Sequence, residues 1–264
     1  MSMQSFIISL RVFGWLFWHD LIVLAKDAPN NIIDSLSWPA ALILMNGYIT
    51  PALGMPSNYG TFITVSMLII MASFKAWGQS NDLAADLAGP QAISYELTLP
   101  LPYWMVLLKV ILIDAIQASV FTLVVIGVGK IVLGSSLTFP HFSLLGFIMA
   151  YGLSCLFFAT FALWTAIFSS SVIAHTRLEH RLVGPLFFLS GFTASWALMN
   201  SVSTILGTAL LFTPWIYAYE GTRGAMLGYK DYLPLSICLG MLVLFTILFW
   251  AYGTYLFKKR MDCV

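Results

Sequence analysis

Apolar runs about 20 residues long, each closed by a short polar joint, constrain this chain more than any motif it carries. A helix of that length and character crosses the hydrocarbon of a bilayer. The runs cover roughly 37–55, 59–77, 104–128, 144–168, 182–200 and 233–257. Charged residues are only 9% of the 264 positions and hydrophobic ones 60%, where a soluble domain carries about 25% charge. The expected fold is therefore an all-α polytopic membrane protein with six transmembrane helices in a single domain, 1–264. No room remains for a sizeable soluble domain, so any ATP-hydrolysing or receptor domain is expected on another chain. The net charge of +1 and the absence of a basic run longer than Lys258-Lys259-Arg260 give no reason to expect a nucleic-acid partner.

Residues 1–33 are apolar but interrupted by Arg11, His19, Asp20 and Lys26. On a helical wheel Arg11, Trp15, Trp18, His19, Ile22 and Lys26 share one side, opposite Phe6, Phe13, Phe17 and Leu24; Asp20 is out of place. Trp with basic residues on one face predicts an interfacial helix, lying in the headgroup layer with its other face in acyl chains. No A-x-A site follows, so a cleaved signal peptide is not expected.

The largest polar interruption is DLAADLAGPQAISYELTLPLPYWMVLLKVILID, Asp82 to Asp114. Gly89-Pro90 breaks the preceding helix, and Pro100 and Pro102 end any helix begun near Gln91, because proline lacks the N–H and biases the residue before it toward extended backbone. A short helix against a stiff corner is predicted at the mouth of the third span. Between 201 and 232 the pattern changes again: Ile205–Phe212 is too short to cross, Thr213-Pro214 breaks it, and an aromatic, charged segment with Glu220 and Arg223 follows. Such pieces fit external re-entrant helices buried in protein. Glu220 and Arg223, three apart, can pair on one helix face, as a structural pin or as a substrate contact.

Lys and Arg divide nine to three. Arg11, Lys26, Lys75, Lys109, Arg177, Arg181, Lys258, Lys259 and Arg260 fall on one side, and Lys130, Arg223 and Lys230 on the other. The positive-inside rule places both termini in the cytoplasm and 201–232 outside.

Other constellations are weaker. Gly127-Val128-Gly129-Lys130 lacks the first glycine and the Ser/Thr of a phosphate loop. His175, Glu179 and His180 lack metal-ligand spacing, and Cys155, Cys238 and Cys263 have no paired spacing. No metal site and no catalytic residue is expected. Asp114 lies inside the third span, where a lone carboxylate is costly; it is either a functional group or one bonded to a neighbouring helix or interface. Gly146, Ala150 and Ser154 give the fourth span a small-residue stripe suited to close packing.

Taken together, RVFGWLFWHDLIVLAKD, six spans, DLAGPQAISYELTLPLPYWMVLLKV and TPWIYAYEGTRGAMLG before the last span resemble the permease subunit of type-2 ABC exporters, the ABC-2-type integral membrane family. The resemblance implies a permease of the bacterial cytoplasmic (inner) membrane that pairs with a second copy and with two nucleotide-binding ATPase subunits. ATP and Mg would belong to those partners, with no cofactor on this chain. It further implies that Gln91, Ser94, Tyr95, Glu96, Leu97, Leu99 and Pro100 form an ATPase-coupling helix, completed by the interfacial helix with Arg11, Trp15, Trp18 and Lys26. The implied substrate is a lipid-linked glycan, a lipid or an amphipathic drug. Two other classes stay open: an ion-coupled secondary transporter, for which only Asp114 offers a coupling group, and an intramembrane lipid-modifying enzyme, for which the only cluster is His175 to Arg181.

Overall fold

The computed structural model describes residues 3–89 and 92–261. Among these residues all regular structure is helical. α1 (Met3–Lys26) and α2 (Ala28–Asp34) lead into α3 (Ser37–Leu44), which continues through a π-helical turn, Met45–Ile49, to the single turn α4 (Thr50–Ala52). α5 (Tyr59–Ala88) and α6 (Ala92–Thr98) precede α7 (Tyr103–Thr122), α8 (Val124–Leu133) and α9 (Leu144–Phe168). α10 (Val172–Leu178) and α11 (Gly184–Phe187) are each followed by a π-helical turn, Glu179–Val183 and Phe188–Phe192. α12 (Trp196–Val202), α13 (Thr204–Leu210), α14 (Pro214–Leu227) and α15 (Leu235–Met261) complete the chain.

Six stretches among the described residues are long and apolar enough to cross a membrane: Phe6–Lys26, Ala28–Ala52, Tyr59–Ala88, Tyr103–Ser136, Leu144–Phe168 and Leu235–Met261. The protein is an all-helical, multi-pass membrane protein. These six differ from the runs read off the sequence in two places. Phe6–Lys26 meets the length and hydropathy of a span, because its charges are few and spread along it. The range 182–200 is not one straight helix: Val172–Phe192 and Trp196–Val202 meet at 94°. Gly191, at φ 117°, adopts the left-handed backbone that ends helices and favours glycine, and the Ser195 hydroxyl then caps α12 by accepting from Leu198 N.

Two of the three π turns have a local cause. Pro51 and Pro185 cannot donate the next helical hydrogen bond, and a widened turn lies just before each, at Met45–Ile49 and Glu179–Val183.

α5 is the axis of the bundle. It packs against α7, α8, α9 and α14, and 83% of its apolar window is buried, against 11% for α15. Close approach needs small residues in lipid, where burying apolar surface brings little. At Gly60 of α5 a Cβ would come 2.8 Å from Gly47 Cα in the π turn after α3, and backbone cannot yield as a side chain can. Gly60→Ala is expected to cost about 1–3 kcal/mol through overpacking, read as a lower unfolding temperature in detergent; an unchanged temperature would show that the two segments separate freely.

The N-terminal segment, α1 to the turn after α3, follows α7 and α8 along their length. Ser9 Oγ donates to Pro100 O at 2.6 Å, Asp20 pairs with Lys109, Gln117 Nε2 donates to Asn31 Oδ1 at 3.3 Å, and Tyr48 donates to Val132 O at 2.8 Å. One end of the bundle is closed by Arg260, whose guanidinium donates to Ile167 O, Ser169 O and Leu87 O at 2.9, 2.8 and 3.3 Å. The opposite end is joined by Tyr59 to Thr193 O at 2.9 Å and by Ser143 N to Ala225 O at 2.8 Å.

Candidate functional site

The Arg260 end gathers the residues expected to couple the chain to a partner. α6 lies between the end of α5 and the start of α7, and the Asp86 carboxylate pins its first turn by accepting from Ile93 N at 2.9 Å. Its apolar side chains face inward. Ile93, Leu97 and Leu99 join a cluster with Leu87, Leu101, Met105 and Val106, against which Val12, Phe13 and Leu16 of α1 also pack. The outward side chain is Tyr95, 71% exposed. Gln91 lies outside the described residues. Ser94 is half-buried, while Pro100 is exposed and its carbonyl takes the Ser9 bond.

Glu96 does not face outward with Tyr95. Its Oε1 accepts from Lys109 Nζ at 2.5 Å, and the same ammonium donates to Asp20 Oδ2 of α1 at 2.8 Å. Lys109 is buried, so its charge is sustained by these carboxylates on two other elements. Asp20 also meets His19 Nδ1 at 3.2 Å through its other oxygen, and Glu96 Oε2 is buried without a hydrogen bond. One cation therefore holds α1, α6 and α7 together at the mouth of the α7 span.

Asp20, which breaks the pattern of the α1 wheel, is thus the counter-ion of Lys109. The sequence carried a signal for this pair: each is an isolated charge in an apolar run, and such charges seek one another. Arg11, Trp15, Trp18 and Lys26 lie on the exposed side of α1, opposite the Val12, Phe13 and Leu16 face.

At the other end Glu220 and Arg223 form a fully buried pair, Oε1 to Nη1 at 3.6 Å, both side chains 0% exposed. Glu220 accepts from Trp196 N at 3.0 Å and Leu233 N at 3.3 Å, which fastens the starts of α12 and of the segment leading into α15. Arg223 donates to the carbonyls of Gly191, Phe192 and Ala194 at 2.5, 2.9 and 3.4 Å and to Ser66 Oγ of α5, and its guanidinium carbon sits 3.8 Å over the Phe62 ring. The planar fork satisfies carbonyls left open where the helix breaks. The pair therefore holds the 94° bend to α5 and α14.

Asp114 is buried on α7, and the charges that act on it are Asp82, of like sign, and Lys109, of opposite sign. His175 is buried too, stacked on Trp77 at 4.4 Å, with Ser80 Oγ 2.9 Å from Nε2 and Ser169 Oγ 3.3 Å from Nδ1. It is a packed ring with both nitrogens engaged. Among the described residues no three His, Cys, Asp or Glu side chains cluster as metal ligands do. Cys155 and Cys238 are buried free thiols, and Cys263 lies outside the described residues.

Compared with protein-family models, curated proteins and solved structures, the chain finds no match in any of the three. The reading of its function rests on these junctions.

Proposed function

We propose that this chain is the membrane-spanning permease subunit of an ATP-driven exporter of the ABC-2 type. It works as a dimer with two separate ATPase subunits, which bind ATP and Mg in the cytoplasm of a bacterial cell. One observation carries the reading. Lys109 ties the short helix α6 both to the transmembrane helix α7 and to the N-terminal helix α1, so a push on α6 moves a span instead of bending a loose loop. Tyr95 supplies an exposed contact on that helix, and Leu97 and Leu99 root it in the apolar cluster.

In this reading both termini and α6 are cytoplasmic, as the distribution of Lys and Arg implies. α12 to α14 enter the outer leaflet and return, with Glu220 and Arg223 as the structural pin of that re-entrant region. Movement of α7 and α5 opens a path between the two permease copies for an amphipathic substrate, such as a lipid-linked glycan, a lipid or a drug.

The test is native mass spectrometry of the gently solubilised full-length protein from its own membranes. Two copies of this chain with two copies of a soluble ATPase are expected; a lone chain that transports without nucleotide would defeat the proposal. Tyr95→Ala is expected to weaken the ATPase contact by about tenfold or more, the loss of at least 1.4 kcal/mol typical of an aromatic anchor, with the permease fold unchanged. Equal recovery of ATPase with the variant would remove α6 as the docking element.

An ion-coupled carrier is the second reading, favoured by one feature: Asp114 is buried in a span and accepts no hydrogen bond from any described residue. Under that reading Asp114→Asn abolishes transport driven by an ion gradient. Under the exporter reading it leaves ATP-driven transport in place.

A further inference from the structure

A cavity of about 410 Å³ lies between α2, α5 and α7, apart from the junctions described above. Asn31 is its hub. The carboxamide oxygen accepts from Lys75 Nζ at 3.0 Å and Gln117 Nε2 at 3.3 Å, and the nitrogen donates to Asp27 Oδ2 at 3.0 Å. This network fixes Lys75 without exhausting it. Asp34 Oδ2 is 4.0 Å away, beyond hydrogen-bond length, and an ammonium has three donors.

Asp82, which also lines the cavity, accepts no hydrogen bond from a described residue. It stands two turns beyond Lys75 on the same face of α5, about 10 Å along the axis. The cavity thus offers a cation with open donors and a separated anion with open lone pairs.

Beyond Lys75 along α5, away from Asp82, the lining turns apolar. Met71 and Phe74 stand there, and Phe74 meets Trp38 edge-on at 5.2 Å. Trp38 and Ile33 are exposed beside it, on α3 and α2, in the part of the chain expected to face lipid. A charged floor with an aromatic and aliphatic exit suits a ligand with a polar head and acyl chains. A purely anionic head would meet Asp34 and Asp82, and a purely cationic one would meet Lys75.

We infer that this cavity binds a zwitterionic lipid headgroup, its phosphate on Lys75 and its ammonium on Asp82, with the acyl chains leaving past Phe74 and Trp38. The site is independent of the exporter reading: a lipid held here would fasten α2 to α5 and α7 in a carrier or an enzyme equally. Gly78 forms part of the wall, and a Cβ there would meet no atom within 4 Å. A side chain at that position starts into open space and extends into the cavity.

The test reconstitutes the full-length protein in nanodiscs of equal phosphatidylethanolamine and phosphatidylglycerol and counts the lipids retained after release, by native mass spectrometry. Wild type is expected to keep phosphatidylethanolamine over phosphatidylglycerol by about tenfold. Asp82→Asn should abolish that preference by admitting phosphatidylglycerol, and Lys75→Met should lower retention of both lipids, whose shared phosphate loses its cation. Gly78→Leu should remove the retained lipid while its unfolding temperature in detergent stays that of wild type. Equal retention of both lipids by wild type would overturn the proposal, as would Gly78→Leu holding phosphatidylethanolamine undiminished. Loss of both lipids alike in Lys75→Met, with no effect of Asp82→Asn, would mark a phosphate site only and overturn the zwitterionic assignment.

Discussion

Arg223→Met is expected to destabilise the protein by about 3–5 kcal/mol, the cost of leaving one partner of a buried ion pair alone. The side chain is wholly buried, and its partners span three elements: Glu220 on its own helix, Ser66 on α5, and the carbonyls of Gly191, Phe192 and Ala194 at the bend. Methionine would leave the Glu220 carboxyl buried without its counter-ion and those carbonyls without a donor. Arg223→Lys keeps the charge but offers no planar fork, so it should recover only part of the loss. Glu220→Gln combined with Arg223→Met should be more stable than Arg223→Met alone, since the carboxamide oxygen still accepts from one backbone N–H and no bare charge remains. Thermal unfolding in detergent measures all three, with Arg11→Met on exposed α1 as a reference expected to stay within about 0.5 kcal/mol of wild type. An Arg223→Met protein that melts with wild type would mean that the bend is held by packing alone.

Lys109→Met should loosen α1 and α6 from the bundle while the spans stay folded. Asp20 and Glu96 each keep roughly a quarter of their side chains exposed, so water softens the loss to about 1–3 kcal/mol. That corresponds to an opening of α1 more frequent by about 5- to 150-fold. Amide hydrogen exchange over residues 6–26 and 92–98 would register it, with α5 and α9 as internal controls. Under the exporter reading proposed above, basal hydrolysis of the partner ATPase should persist while stimulation by substrate disappears, because docking on Tyr95 would be kept but motion would no longer reach α7. Replacing Asp20, Glu96 and Lys109 together by Asn, Gln and Met removes every charge of the junction and should restore α1 packing without restoring the stimulation. Unchanged exchange and full stimulation in Lys109→Met would end the role of this junction.

Much of the organisation was legible in local patterns. The apolar runs located five of the six candidate spans, Pro100 and Pro102 marked the corner after α6, and the three-residue spacing of Glu220 and Arg223 marked a pair on one helix face. The break at 193–195 was not legible, since the run 182–200 is as apolar as a straight span. Its deciding features are the backbone of Gly191 and the distant Arg223 that receives the freed carbonyls. Glu96 read as an outward docking group for want of a visible partner, and its partner is thirteen residues on, across the proline corner.

What the sequence determined by itself is helix and membrane residence. Both follow from hydropathy over about 20 residues and from hydrogen bonds closed within each segment. Only the tertiary structure decided which isolated charges neutralise each other, Lys109 with Asp20 and Glu96, and which is held instead by a neutral group, Lys75 by the Asn31 carboxamide. Coulomb energy depends on separation in space and on burial, and neither is written in the order of the residues.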